Sequence, residues 1–189
     1  LAIGRALRLR PGLLLLDGRD RSFNPHRGGL VALTYAYVDD RGGDAFRFDQ
    51  MAFDTRGYVS LGSPQRVLAA RALFARAQAA EGSRVPFYLQ NALANSHTMR
   101  GYPSFRFRGE TMYSLQAEYR WEAFSGLDLA LFGDAANSFF KVSDIKLDEL
   151  KTSYGIGFRF NTKRSVFWRF DLGFSRDGMH FFSKFNHVF

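Results

Sequence analysis

The chain contains no cysteine, and it also lacks any long uninterrupted apolar run. The absence of cysteine excludes a disulfide scaffold and a metal site built from thiolates. A membrane-spanning helix needs about 20 consecutive apolar residues, whereas no continuous apolar run here is longer than Leu13–Leu16. A helical membrane protein is therefore excluded.

Aromatic residues, by contrast, are abundant, at 16% of the 189 residues and with 21 phenylalanines. Hydrophobic residues make up 46% of the chain, yet the mean hydropathy is only -0.22, so polar residues are interspersed among them. Membrane β-barrels need this composition, because they carry a lipid-facing apolar band between two aromatic girdles. The composition favours such a barrel over a small soluble core.

The chain is basic, with a formal net charge of +8. A basic balance is also typical of nucleic-acid-binding surfaces, but the arginines here are scattered along the predicted strands and form no patch. We therefore predict no nucleic-acid partner. The sequence starts at Leu1 without a recognisable signal peptide, and we expect it to begin inside a longer polypeptide.

Apolar and polar residues alternate with a period of two over segments of about ten residues, which predicts strands with one apolar face. In segment 166–175 the apolar face consists of Val166, Trp168, Phe170, Leu172 and Phe174. In segment 111–122 it consists of Tyr113, Leu115, Ala117, Tyr119 and Trp121. A soluble sandwich would show the same alternation, but the opposite face here has few lysines and several Gly, Arg, Asp and Glu residues, which favours a wet barrel interior.

Nine strands are predicted, at 12–19, 28–38, 45–59, 66–77, 111–122, 127–137, 152–161, 166–175 and 180–189, with part of another at 1–9. Residues 67–81 are rich in Ala, Arg and Leu and could also form an amphipathic helix. Residues 79–110 form a connection so long that a functional role is expected. Bacterial barrels usually have an even number of strands, so nine strands indicate part of a larger barrel; a closed barrel of eight or ten strands is the alternative.

The long connection carries Ser96-His97-Thr98-Met99-Arg100-Gly101-Tyr102. This segment resembles the (V/L/M)-R-G-(F/Y) motif of the Omp85/BamA superfamily, the surface antigen D15 type of outer-membrane barrel. In that family the motif lies on the sixth extracellular loop, which folds back into the barrel lumen. Five predicted strands follow the motif, as the family's strands twelve to sixteen do.

Further motifs occur in the family's order. The segment Phe132-Gly133-Asp134-Ala135-Ala136 is similar to F-x-D-x-G, with Ala136 in place of the last glycine. The segment Gly155-Ile156-Gly157-Phe158-Arg159-Phe160 resembles G-x-G-x-R-(F/Y), and Asp17-Gly18-Arg19-Asp20 with Pro25 and Gly28 resembles an upstream hairpin. The chain ends on Phe189, with Phe185 and Phe181 on the same face; this pattern resembles the C-terminal outer-membrane insertion signal.

The resemblance implies an all-β fold, a transmembrane antiparallel β-barrel of which residues 1–189 supply about nine C-terminal strands out of sixteen. It places the chain in the outer membrane of a Gram-negative-type bacterium, with loop 79–110 directed into the lumen. It also implies that Arg100, Gly101 and Tyr102 form the loop motif, with Asp134 as the partner of Arg100. Glu118, which the alternation places on the inward face of the strand just after the loop, is a second candidate partner. Glycines facing the lumen, Gly155, Gly157 and Gly173, would leave room for the loop. Arg159 and Arg169 would be lumen charges that set pore selectivity, join the network of Arg100 or are simply solvated.

The implied function is assembly or translocation of outer-membrane proteins, with an incoming strand templated at a weak barrel seam. The expected partners are outer-membrane lipid, substrate β-barrels or secreted proteins, upstream periplasmic POTRA domains and accessory assembly proteins. The alternatives are a dedicated secretion pore, a passenger translocator and a passive pore.

An enzyme is not expected. The sequence offers no Ser-His-Asp spacing and no metal cluster, and the histidines are scattered, at positions His26, His97, His180 and His187. No cofactor is predicted either.

Overall fold

The computed structural model describes residues 7–9, 12–17, 25–40, 46–94, 97–144, 146, 148–162 and 165–185. These residues fold into one antiparallel sheet and a two-stranded ribbon. The strands are β1 (Leu7–Leu9), β2 (Gly12–Asp17), β3 (Gly28–Asp40), β4 (Phe48–Ser60), β5 (Arg66–Ala79), β6 (Asn91–Leu93), β7 (Phe107–Gly109), β8 (Thr111–Phe124), β9 (Leu127–Phe139), β10 (Lys151–Thr162), β11 (Ser165–Ser175) and β12 (Gly178–Phe185). Two short 3-10 helices cover Phe87–Leu89 and Val142–Asp144.

The strands follow one another across the sheet in chain order, β1, β3, β4, β5, β8, β9, β10, β11 and β12. Both β1 and β2 pair with β3. Strand β2 pairs with residues 30–35 of β3, and β1 pairs with residues 38–40 of β3. The predicted all-β antiparallel fold is confirmed, and each of the nine predicted strands has a counterpart. Residues 186–189 of the last predicted strand, including Phe189, lie outside the described residues.

Most of the segment 67–81, which could have formed a helix, lies in strand β5. Strand β5 pairs along its length with β4 and over residues 66–76 with β8. The alternation shows in burial, since Val67, Ala69, Ala75 and Ala77 are buried, while Leu68 and Ala70 are exposed. Alanine and arginine have good helix propensity, but two hydrogen-bonded neighbours override that local preference.

The sheet has two distinct faces, as the alternation predicts. On β8, Ser114, Gln116 and Glu118 are buried, whereas Leu115 and Trp121 are about half exposed. We call the side with the buried polar residues the loop face, because the connection 80–110 packs against it, and the opposite side the apolar face. Large exposed side chains on the apolar face include Phe53, Leu131, Tyr154, Ile156, Phe158 and Phe181.

The connections differ between the two ends of the sheet. At one end the turns are short, at 61–65 and 125–126, and at the other lie the connections 80–110 and 140–150. The two-residue turn 176–177 also lies at this second end, beside these longer connections. Connection 80–110 is not bare loop, since it contains the first 3-10 helix and the ribbon of β6 and β7.

Candidate functional site

Arg100 lies at the centre of the loop face and is completely buried. Its Nε and one terminal nitrogen donate to the two oxygens of Asp134, at 2.9 and 2.6 Å. Its backbone N–H donates to the same carboxylate at 3.0 Å. This fork of parallel bonds fixes the guanidinium in both position and orientation.

The other terminal nitrogen of Arg100 donates to Glu118. Asp134 and Glu118 were the two partners suggested from the sequence, and Arg100 contacts both. The guanidinium carbon also lies 3.7 Å from the ring centroid of Phe132, within cation–π distance. Burial alone lowers the pKa of Arg100, but the carboxylates of Asp134 and Glu118 outweigh burial and raise that pKa above its ordinary value.

Glu118 is the carboxylate that joins Arg100 to two further arginines. One oxygen of Glu118 accepts from Arg120 at 2.9 Å, and the other accepts from Arg159 at 3.0 Å as well as from Arg100. All four side chains are at most 3% exposed. Because a buried charge is costly without a partner, one carboxylate here stabilises three guanidiniums at once.

The network continues toward the last strands through Asp171. Its two oxygens contact Arg159 at 2.8 Å and Arg169 at 2.5 Å. Arg159 therefore bridges Glu118 on β8 and Asp171 on β11. We call the seven side chains of this set the buried ion network: Arg100, Glu118, Arg120, Asp134, Arg159, Arg169 and Asp171.

Glycines on β10 and β11 make room for the loop and the network. A Cβ on Gly173 would collide with the carbonyl group of Arg100 and would lie 3.0 Å from the Cα of Gly101. A Cβ on Gly157 would collide with the guanidinium of Arg159, and one on Gly155 would lie 2.5 Å from the ring of Phe132. Only glycine leaves enough space at these three positions.

Gly101 itself passes close to the sheet. A Cβ on Gly101 would overlap Ser153 on β10 and lie 2.8 Å from the backbone oxygen of Phe174. The hydroxyl of Ser175 donates to the Gly101 carbonyl. The motif glycine therefore permits direct backbone contact between the loop and β10 and β11.

Tyr102 is buried and its hydroxyl donates to the Thr152 carbonyl at 3.3 Å. Phe105, three residues further along the loop, does not pack against the wall in the same way, because it is 58% exposed. Phe105 has a φ of 62° and its N–H donates to the Ala94 carbonyl. That turn directs the ring away from the sheet, toward the guanidinium of Arg108.

The alanine that departs from the family pattern is well accommodated. Ala136 is fully buried in an apolar cluster with Leu93, Met99 and Tyr102 from the loop. The methyl group therefore adds to the packing beneath the loop.

A second anchor holds the loop from the side of β4 and β5. Arg71 donates to both oxygens of Asp54, each at 2.9 Å, and its remaining terminal nitrogen donates to the His97 carbonyl at 2.6 Å. Beside it, Ser114 donates to the Thr98 carbonyl at 2.7 Å. The loop is thus held by β10 and β11 on one side of its Arg-Gly-Tyr tip and by β4, β5 and β8 on the other side.

Several of these residues were not identified from the sequence, namely Asp54, Arg71, Arg120 and Asp171. The sequence could have indicated Arg120 and Asp171, because residues two apart on a strand point to the same face of the sheet. Each of the pairs Glu118/Arg120 and Arg169/Asp171 combines opposite charges at that spacing and forms an ion pair. Arg71, by contrast, contacts Asp54 through the cross-strand register, which the sequence does not show.

The aromatic residues near the C-terminus do not lie on the loop face. Phe181 and Phe185 are on the apolar face of β12, 62% and 64% exposed. Phe189 and His187 lie outside the described residues.

Two further observations concern the described residues. No helix among them is long and apolar enough to cross a membrane. No group of three His, Cys, Asp or Glu side chains within the described ranges could hold a metal ion.

Among solved structures, the chain is similar to the crystal structure of BamA from Haemophilus ducreyi lacking POTRA domains 1–3, with a TM-score of 0.70 and 16% identity. The match covers 92% of this chain and 40% of that chain, so the chain spans less than half the length of that structure. At this identity the likeness establishes the fold. No curated protein matches the chain.

The sequence comparison covers almost the whole chain. The Omp85 superfamily domain matches residues 10–180, which include the loop motif, the ion network and the sheet from β2 to the start of β12. The chain belongs to the Omp85 superfamily.

Proposed function

We propose that this chain is the C-terminal barrel portion of an outer-membrane assembly or translocation factor. In this proposal residues 1–189 are one part of a barrel of about sixteen strands, loop 79–110 lies in the lumen, and the apolar face contacts lipid. The role is not enzymatic. Membership of the Omp85 superfamily supports the class of function, and the burial pattern supports the two environments of the sheet.

The observation that carries the proposal is the attachment of the loop tip. Three donors of Arg100, two from the side chain and one from the backbone, hold Asp134, and a fourth holds Glu118. Ordering a long loop costs about 1–2 kcal/mol per residue in backbone entropy. An attachment this extensive supports a loop position that the function requires.

The second half of the proposal concerns β12, the last strand of the sheet among the described residues, which pairs with β11 on one side. In a barrel of about sixteen strands, its other side would meet the first strand, and the barrel would close there. An unpaired strand edge is a template on which another strand can form hydrogen bonds. We propose that β12 is the seam at which a substrate β-barrel strand is received, with Gly178 and the inward Lys184 weakening its closure.

The partners are proposed on the same basis. They are outer-membrane lipid, substrate β-barrels or secreted proteins, POTRA domains upstream of the chain and accessory assembly proteins. The BamA structure similar to this chain is of a protein that has POTRA domains. The proposed location is the outer membrane of a Gram-negative-type bacterium.

Depletion of the full-length protein from its host, followed by quantitative proteomics of the outer membrane, tests the proposal. We expect many unrelated β-barrels to decrease together. Re-expression of the Arg100→Ala variant should restore them only in part. The Arg84→Ala variant, which changes an arginine of the same loop outside the ion network, is the matched control and should restore them fully.

A different outcome would replace the assembly function. If one secreted passenger is the only other protein lost, the protein is a dedicated secretion pore or passenger translocator. If no other protein changes, it is a passive pore.

A further inference from the structure

Three cationic residues lie side by side on the loop face of the last three strands. Arg159 on β10 is opposite Arg169 on β11, and Arg169 is opposite Lys184 on β12. Like charges directly opposite one another weaken a strand pair. The ladder that attaches the edge strand β12 therefore contains a built-in repulsion.

The first two cations are compensated by a carboxylate, because Arg159 and Arg169 share Asp171. Lys184 has a different contact. Its ammonium group meets Nε2 of His97, a residue of the loop. Lysine has donors and no acceptor, so this contact requires the imidazole to accept through Nε2.

His97 is held in place independently of β12. Its carbonyl accepts from Arg71, which Asp54 fixes with two bonds. Three residues later, Arg100 enters the buried ion network. The position of His97 therefore follows the position of the loop tip, and the acceptor for Lys184 is present only while the loop lies on the sheet.

The loop also contacts the rest of the last hairpin. Gly101 accepts from Ser175 at the end of β11, and Arg106 pairs with Asp177 in the turn at 3.0 Å. These contacts act on β11 and on the turn. The His97–Lys184 contact acts on β12 itself.

We propose that His97 is a positioning residue that couples the loop to the edge strand. While the loop is seated, the imidazole accepts a hydrogen from Lys184 and offsets its repulsion from Arg169. When the loop leaves the sheet, Lys184 loses that acceptor and β12 separates from β11 more readily. Displacement of the loop thereby loosens the strand edge, which on the proposed function above is where a substrate strand is received.

The test is amide hydrogen exchange on the full-length protein in lipid vesicles without substrate, read over residues 178–185. Local opening of a strand sets its exchange rate. We expect His97→Ala to speed exchange in β12 by about two- to fivefold, which is the size of effect that one cross-strand side-chain pair has. His97→Gln, which keeps an acceptor, should remain close to the parent protein and guards against a general folding defect.

The double-variant comparison decides the mechanism. Lys184→Met removes the repulsion, so His97→Ala should have no effect on β12 exchange when Lys184→Met is already present. Equal acceleration by His97→Ala in both backgrounds, or no acceleration in either, would overturn the coupling. Because no substrate is present, these outcomes are independent of whether the protein assembles other barrels, which the depletion experiment decides.

Discussion

At the scale of single residues, the site depends on the shape of arginine. The guanidinium of Arg100 offers bonds in two directions in its plane, one pair to Asp134 and one bond to Glu118. An ammonium group carries the same charge but is a point donor on a flexible stem. Charge alone therefore does not reproduce the attachment of the loop.

Arg100→Lys is expected to lower the free energy of unfolding by at least about 1.5 kcal/mol, the value of one hydrogen bond to a charged group. Urea titration of the full-length protein in detergent micelles measures the change. Arg84→Lys, in the same loop but outside the ion network, should leave the midpoint unchanged. Equal midpoints for Arg100→Lys and the parent protein would contradict the bidentate role.

Glu118→Gln should lower the free energy of unfolding by more than Arg100→Lys does. The carboxylate of Glu118 contacts Arg100, Arg120 and Arg159, and its loss leaves three buried guanidiniums without this partner. Breaking a buried ion pair on one side costs about 3–5 kcal/mol. The same urea titration measures the change in the free energy of unfolding. The control is Glu122→Gln, at an exposed position of the same strand, and it should change that free energy little.

At the scale of elements, the close approach of loop and strand depends on glycine. A Cβ on Gly173 would lie only 2.7 Å from the carbonyl carbon of Arg100. On the apolar face, a Cβ on Gly133 would meet nothing within 4 Å. Comparing alanine variants of the two glycines therefore separates the effect of losing the loop contact from the effect of changing strand propensity.

Gly173→Ala is expected to displace the loop tip and to make the loop more susceptible to proteolysis. Limited trypsin digestion of the full-length protein in vesicles should show faster cleavage within residues 84–108. Gly133→Ala should be digested at the parental rate. If Gly173→Ala is digested no faster than Gly133→Ala, the loop does not depend on this contact.

The strands were predictable from the sequence because alternation is a local property. Even β5 follows it, although its composition alone was ambiguous. The ion network was predictable only in part. Motif resemblance indicated Arg100 and Asp134, and strand alternation indicated Glu118, with Arg159 and Arg169 as possible members. The Arg71 anchor and the Arg159–Asp171 contact depend on strand register, which the sequence does not show. The contact between His97 and Lys184 joins residues far apart in the chain, and no local pattern indicates it.

At the scale of the whole molecule, the two faces of the sheet explain its composition. The loop face buries charge in ion pairs, and the apolar face exposes large side chains such as Leu131 and Tyr154, 60% and 67% exposed. In water such a surface would promote association. Contact with lipid is the environment that the apolar face fits.

Leu131→Arg should therefore weaken folding into a bilayer by about 2–4 kcal/mol if the position lies near the midplane. The fraction of full-length protein that folds into vesicles across a urea series measures this cost. Leu131→Ala is the control for lost packing and should cost much less. A Leu131→Arg variant that folds as well as Leu131→Ala would contradict lipid contact at this face.

The most direct test of the central claim, that the loop attached through Arg100 serves assembly, is a reconstitution. The full-length protein is placed in vesicles without other proteins, and the folding rate of a urea-unfolded β-barrel substrate is measured. We predict that the parent protein and Arg84→Ala accelerate folding equally, while Arg100→Ala accelerates it markedly less. Equal acceleration by Arg100→Ala, or no acceleration by the parent protein, would contradict this role of the loop.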